Sequence, residues 1–254
     1  MNRTVLISLL CFLILSICTI SLSAQSVATL MQQGEALEKA FRDDEALKKY
    51  TEVLKLDPKN IDALCKTSEL YSIIGKRLNT KDEQRDYYKK GEMYAREALA
   101  INPNHSEANF AMAIAMGRQA MMSSGKEKVV AVKEIKKYSD RCIQADPNNY
   151  KGYHILAKWH YEVSDLNAFE KWIVKITFGA LPPASLDDAI KYYEKSKALQ
   201  PSFLLNYLEL AKAYNRKGET QKARVLLEQL QKLPPTASDD AKIKSLGRKL
   251  LDEL

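Results

Sequence analysis

The sequence predicts an all-α solenoid of about five stacked helical hairpins closed by a C-terminal capping helix, and three observations carry that reading. Prolines 58, 103, 147, 201 and 235 each end an apolar helical stretch. Ten residues past the first four stands a small residue, Ser68, Ala113, Ala157 or Ala211, and three positions further on a larger one, Tyr71, Met116, His160 or Tyr214. Positions three apart share a helical face, so small beside large marks a close helix crossing. Composition fits a helical body: 46% apolar and 28% charged residues, nine Gly and eight Pro in 254 residues, and no low-complexity tract.

The last and first hairpins define the unit. Tyr207, Leu210, Ala211, Tyr214, Gly218, Ala223, Leu227, Leu230 and Pro235 have the spacing of one tetratricopeptide repeat of about 34 residues, with Gly218 ending the first helix. Leu30, Gly34, Leu37, Ala46, Tyr50, Val53 and Pro58 repeat it without insertion. Successive prolines from Pro58 to Pro201 lie 45, 44 and 54 residues apart, so each middle hairpin holds an insertion expected between its two helices. One hairpin cannot bury its apolar face alone, so stacked neighbours share a core and curve around a concave surface. The repeat domain is expected over 25–235. In 236–254, Ala241, Ile243, Leu246, Leu250 and Leu251 among charged residues predict the capping helix.

Residues 1–24 read differently. Met1-Asn2-Arg3, an apolar run from Thr4 to Leu22 and the small residues before Gln25 predict an export signal. Because the run approaches the roughly 18 residues that span a bilayer, a retained N-terminal anchor is the alternative. Either way the repeats are expected outside the cytoplasm, in a periplasm or extracellular space, with membrane contact only if the segment is retained. Cys11 and Cys18 belong to this segment; Cys65 and Cys142 are too few and too distant for a disulfide framework and read as buried thiols. The net charge is +7, but Lys and Arg alternate with Glu and Asp, and no basic block with interleaved aromatics points to nucleic acid.

No Gly-rich phosphate loop, His-Glu-x-x-His, Cys-x-x-Cys or nucleophile elbow is present, so neither catalysis, a metal nor a cofactor is expected. His154 and His160 lie six residues apart, which turns one imidazole about 120° from the other on a helix and makes a poor zinc pair. His160 holds a core position of its repeat. After Pro182-Pro183, Ser185 is expected to cap a helix, with Asp188 completing a capping box and Asp187 facing the helix dipole.

The concave face is expected to carry Glu107, Phe110, Ile114 and Arg118, then Lys151, His154, Lys158 and Tyr161, then Leu208, Lys212, Asn215 and Arg216. Of these, Lys151, His154, Lys158, Tyr161, Lys212 and Arg216 form the candidate partner-binding set. It suits an acidic peptide, a free carboxylate or an anionic headgroup. In the fourth-hairpin insertion, Phe169, Trp172, Ile173, Ile176 and Phe178 either line an apolar ligand cavity or plug the groove with the protein's own aromatics.

Trp159-His160-Tyr161, this aromatic insertion, Gly179 to Ser185, Asp187-Asp188-Ala189-Ile190, Pro201, Asn206-Tyr207, Leu210-Ala211 and Ala223 resemble the regulator of microtubule dynamics family and its bacterial tetratricopeptide-like relatives. The resemblance implies a helical repeat body without catalytic activity. It also implies association with microtubules or the mitochondrial surface in some members, and phospholipid binding by one that tethers membranes. The exported leader and the absence of a phenylalanine-rich acidic tract set this chain apart from that tethering member. The functional expectation is a protein-interaction scaffold with a protein or peptide partner; the alternative is a lipid or apolar-ligand carrier.

Overall fold

The computed structural model describes residues 26–254, and the described residues form twelve helices and no strand. Five hairpins follow one another: α1 (26–39) with α2 (Asp43–Leu56), α3 (Ile61–Gly75) with α4 (Lys81–Ile101), and α5 (Ser106–Met122) with α6 (Gly125–Ala145). The fourth joins α7 (Tyr150–Asp165) to α9 (Leu186–Leu199) and the fifth α10 (Leu204–Arg216) to α11 (Thr220–Lys232). Between α7 and α9 lies α8 (Ala168–Phe178), and α12 (Asp240–Asp252) packs on α10 and α11. The export segment lies outside the described residues.

The prolines act through a recurring turn. Asp57, Asn102 and Asp146, each just before its proline, accept a hydrogen bond from the backbone N–H two residues on, at 3.2, 3.0 and 2.9 Å. Two residues past the proline, Asn60, His105 and Asn149 cap the next helix through the N–H of Ala63, Ala108 and Gly152. A helix stop and the next start are thereby coded within four residues. At the end of α10, Gly218 turns the chain at φ +84, a conformation other residues rarely adopt.

Counting back from Pro58, Pro103, Pro201 and Pro235 also sets the second helices. Ala46, Tyr50 and Val53 in α2 correspond to Gly91, Ala95 and Ala98 in α4, to Ala189, Tyr193 and Ser196 in α9, and to Ala223, Leu227 and Leu230 in α11; all are buried. The middle insertions are not loops in the second and third hairpins. They lengthen α4 and α6 to 21 residues each, against 14 in α2, and only the fourth hairpin makes a separate helix of its insertion. Small residues hold the crossings: Ser68 Oγ donates to Gly91 O at 2.7 Å, and a Cβ on Gly34 would stand 2.7 Å from the Tyr50 ring.

Curvature follows from which helices touch. First helices meet their neighbours, α3 with α5, α5 with α7 and α7 with α10, while second helices pack on the flanking first helices. First helices therefore wall the concave side. Cys65 and Cys142 are free and buried, and burial pushes the Cys142 thiol up to about 11.

Candidate functional site

The first-helix face carries charge, but in pairs. Lys151 of α7 reaches back to Glu107 Oε2 of α5 at 2.6 Å and to both Glu69 carboxylate oxygens of α3 at 3.3 Å, with its ammonium over the Phe110 ring, 4.5 Å from the centroid. Burial alone would lower the Lys151 pKa, but Glu69 and Glu107 outweigh it and hold the ammonium above its ordinary value. Burial raises the Glu69 carboxyl against the pull of the same lysine.

Further along, Glu209 of α10 is 7% exposed and accepts from Lys158 of α7 and Lys212 of its own helix, each at 2.7 Å. Burial would raise this carboxyl; the two lysines win and hold it below the usual range. Lys158 also pairs with Glu162 at 2.8 Å. Arg216 donates to Tyr161 O at 2.7 Å and to Ser164 Oγ at 2.6 Å, and its guanidinium lies 4.6 Å from the centroid of the Tyr161 ring.

The candidate partner set is thus brought onto one wall, with two corrections. It is not a free basic surface, because acids of the same and of neighbouring helices pair with the lysines. His154 is not on the open face either: it is 5% exposed, packed against Phe203 and Tyr193 and hydrogen-bonded to Asn206 at 3.0 Å. Glu69 and Glu209 escaped sequence reasoning. For Glu69 a signal existed, since it stands eleven residues past Pro58, the register Lys158 and Lys212 hold past Pro147 and Pro201.

His160 is buried as expected, accepting the Ser185 N–H at 3.4 Å. That bond leaves the Ser185 capping box half made. Ser185 Oγ accepts from the Asp188 N–H and donates to the Asp188 carboxylate, while its own N–H goes to the histidine. Among the described residues no group of three or more His, Cys, Asp or Glu is placed to hold a metal ion.

Among the described residues, the aromatics of the insertion neither plug the groove nor are buried. Helix α8 starts on a capping box of Asn167 and Glu170 and touches the body at α6. Phe169, Trp172 and Ile176 are 66%, 55% and 61% exposed; the side chain of Phe178 lies outside the described residues. Trp159, by contrast, is buried and donates its Nε1–H to Val132 O at 2.8 Å.

Comparison with known proteins agrees with this architecture. A thermophilic TPR protein of Thermus thermophilus superposes at TM-score 0.66 with 13% identity, over 89% of this chain and 98% of that one. PilF of Pseudomonas aeruginosa gives 0.55 with 13% identity, over 91% and 86%. Both show the fold. In sequence, the chain is 26% identical to rat regulator of microtubule dynamics protein 3 over 76% of its length, and 26% identical to Caenorhabditis elegans regulator of microtubule dynamics protein 1 over 68%. It covers 40% of the rat protein and 76% of the nematode one, so it spans about two fifths of the longer relatives. The model of the regulator of microtubule dynamics protein 1-3 family matches residues 30–254, from the first hairpin through α12, and the chain belongs to that family.

Proposed function

We propose that the protein is a non-catalytic interaction scaffold whose first-helix face, at the fourth and fifth hairpins, holds a protein or peptide segment bearing carboxylates. The observation that carries this is Glu209. One buried carboxylate orients the ammonium groups of Lys158 and Lys212, whose side chains remain 39% and 37% exposed, so each keeps donor capacity toward the groove. Arg216 stacked on Tyr161 extends the same wall. A partner carboxylate adds a charge-assisted hydrogen bond to a cation already held in place, which lowers the ordering cost of binding. In this reading the segment Thr4–Leu22 puts the scaffold outside the cytoplasm. The carrier alternative requires the α8 aromatics as a cavity wall, and Phe169, Trp172 and Ile176 face solvent.

An array of acidic and neutral peptides probed with the wild type and with a Lys158→Gln/Lys212→Gln variant tests the assignment. Acidic peptides should be retained by the wild type and bound at least tenfold more weakly by the variant, given about 1.5–3 kcal/mol for a hydrogen bond to a charged group. Circular dichroism checks that the variant remains folded. Equal binding by both proteins would remove the groove from consideration.

A further inference from the structure

Helix α8 leaves four large apolar side chains in solvent. At about 100° per residue, Phe169, Trp172, Ile173 and Ile176 fall within one arc of about 100°. All four are exposed, from 38% for Ile173 to 66% for Phe169, and the Phe169 and Trp172 rings stack at 6.1 Å. Lys175 and Lys171 border the Trp172 edge of that arc, and among the described residues neither forms an ion pair with a carboxylate. The single acid of α8, Glu170, is turned back onto the Asn167 N–H at 2.8 Å. The outward charge of the helix is therefore positive.

We infer that α8 is a membrane-docking helix that lies in the interface of an anionic lipid bilayer, with Phe169, Trp172, Ile173 and Ile176 inserted and Lys171 and Lys175 on the headgroups. Two features favour a bilayer over a protein partner. The four side chains leave on the order of 400 Å² of apolar surface in water, about half of the ~800 Å² each partner contributes to a stable protein interface. Tryptophan and phenylalanine beside unpaired lysines match the chemistry of the membrane interface, where aromatic rings sit at headgroup level and ammonium groups meet lipid phosphates. Eleven residues make a helix of about 16 Å, too short to cross a bilayer core of about 30 Å, so the helix lies in the plane. This is a surface separate from the Lys158–Lys212 groove.

The test uses the full chain with vesicles of phosphatidylcholine alone or mixed with phosphatidylserine, both carrying brominated acyl chains that quench tryptophan on contact. The protein holds two tryptophans and Trp159 is buried, so quenching reports Trp172. Quenching on the anionic vesicles, its loss in Phe169→Ser/Ile176→Ser with unchanged circular dichroism, and about 25-fold weaker partitioning of Lys171→Gln/Lys175→Gln support the inference, at about fivefold per lysine. The Lys158→Gln/Lys212→Gln variant should quench like the wild type, which separates this surface from the groove. Three results would overturn it: protein bound through its Thr4–Leu22 segment with Trp172 unquenched, equal quenching on neutral vesicles, or Trp172 shielded without lipid in a concentration-dependent dimer.

Discussion

An imidazole bridges α7 to α10 at position 154. The Asn206 amide nitrogen donates to Tyr193 O at 2.9 Å, so its oxygen faces His154 Nδ1 at 3.0 Å and the histidine must carry its proton there. Burial lowers the His154 pKa more than the Asn206 acceptor raises it, and burial likewise lowers His160 against the pull of Asp188. Below about pH 6.5 the unfolded chain takes up protons that the folded chain refuses, so stability falls as pH drops from there toward the lowered folded values. Melting temperature should decline between pH 7.5 and 5, and the decline should flatten in a His154→Gln/His160→Gln variant; an unchanged slope would refute the assignment. Glu209 has the same sign of linkage but acts in a lower pH range. Its stabilisation is complete above the ordinary carboxylate range and is lost only as pH falls through its depressed value, so it makes a separate, more acidic step.

Helices α6 and α7 approach so closely that Gly152 cannot carry a side chain. A Cβ there would stand 2.7 Å from Cys142 Sγ and 3.1 Å from Ile143 Cγ1. Gly152→Ala should destabilise the protein by about 1–3 kcal/mol through overpacking. In a Cys142→Ala background the sulfur is gone and much of that loss should vanish, which a double-mutant cycle of denaturant melts reads directly; strictly additive effects would show that the crossing is not the cause. Proline and cap residues locate each helix start, but whether an insertion becomes a loop, a longer helix or a new one depends on what its residues find to pack against. In α4 the added turns set Tyr87 against Tyr71, ring centroids 5.4 Å apart, and onto the core of the first hairpin, whereas in α8 none of the described side chains is buried.

The solenoid closes on itself. Asp239, in the turn before α12, pairs with Lys76 and with Arg77 Nε at 3.2 Å just past α3, and Arg77 also pairs with Asp43 at the start of α2. Ser238 joins them, donating to Asp43 at 2.6 Å and accepting from Arg77 at 2.6 Å. Contacts 161 to 195 residues apart thus fix the pitch and width of the concave face. Asp239→Ala should cost about 1 kcal/mol or less, as expected of partly exposed ion pairs, yet it should enlarge the radius of gyration in small-angle scattering by releasing the end-to-end contact. An unchanged radius would mean that hairpin stacking alone sets the curvature.

By itself the sequence determined the repeat: five hairpins, their stops at the prolines, the Ser185 cap of α9 and the buried register of the uninserted copies, because these are local properties of residues within one turn of each other. Lys151, Lys158, Lys212 and Arg216 were also legible as residues of one wall, since repeat register assigns a helical face. Only the tertiary structure decided that Glu69 and Glu107 neutralise Lys151 and that Glu209 reaches Lys158, that Asn206 takes His154 out of the groove, and that α8 meets the body at α6 with its aromatic face in solvent. Each of these depends on which distant helix arrives opposite a given side chain. That is fixed by the summed packing of all the hairpins and by the contact of Asp239 with Arg77, not by any spacing within one repeat.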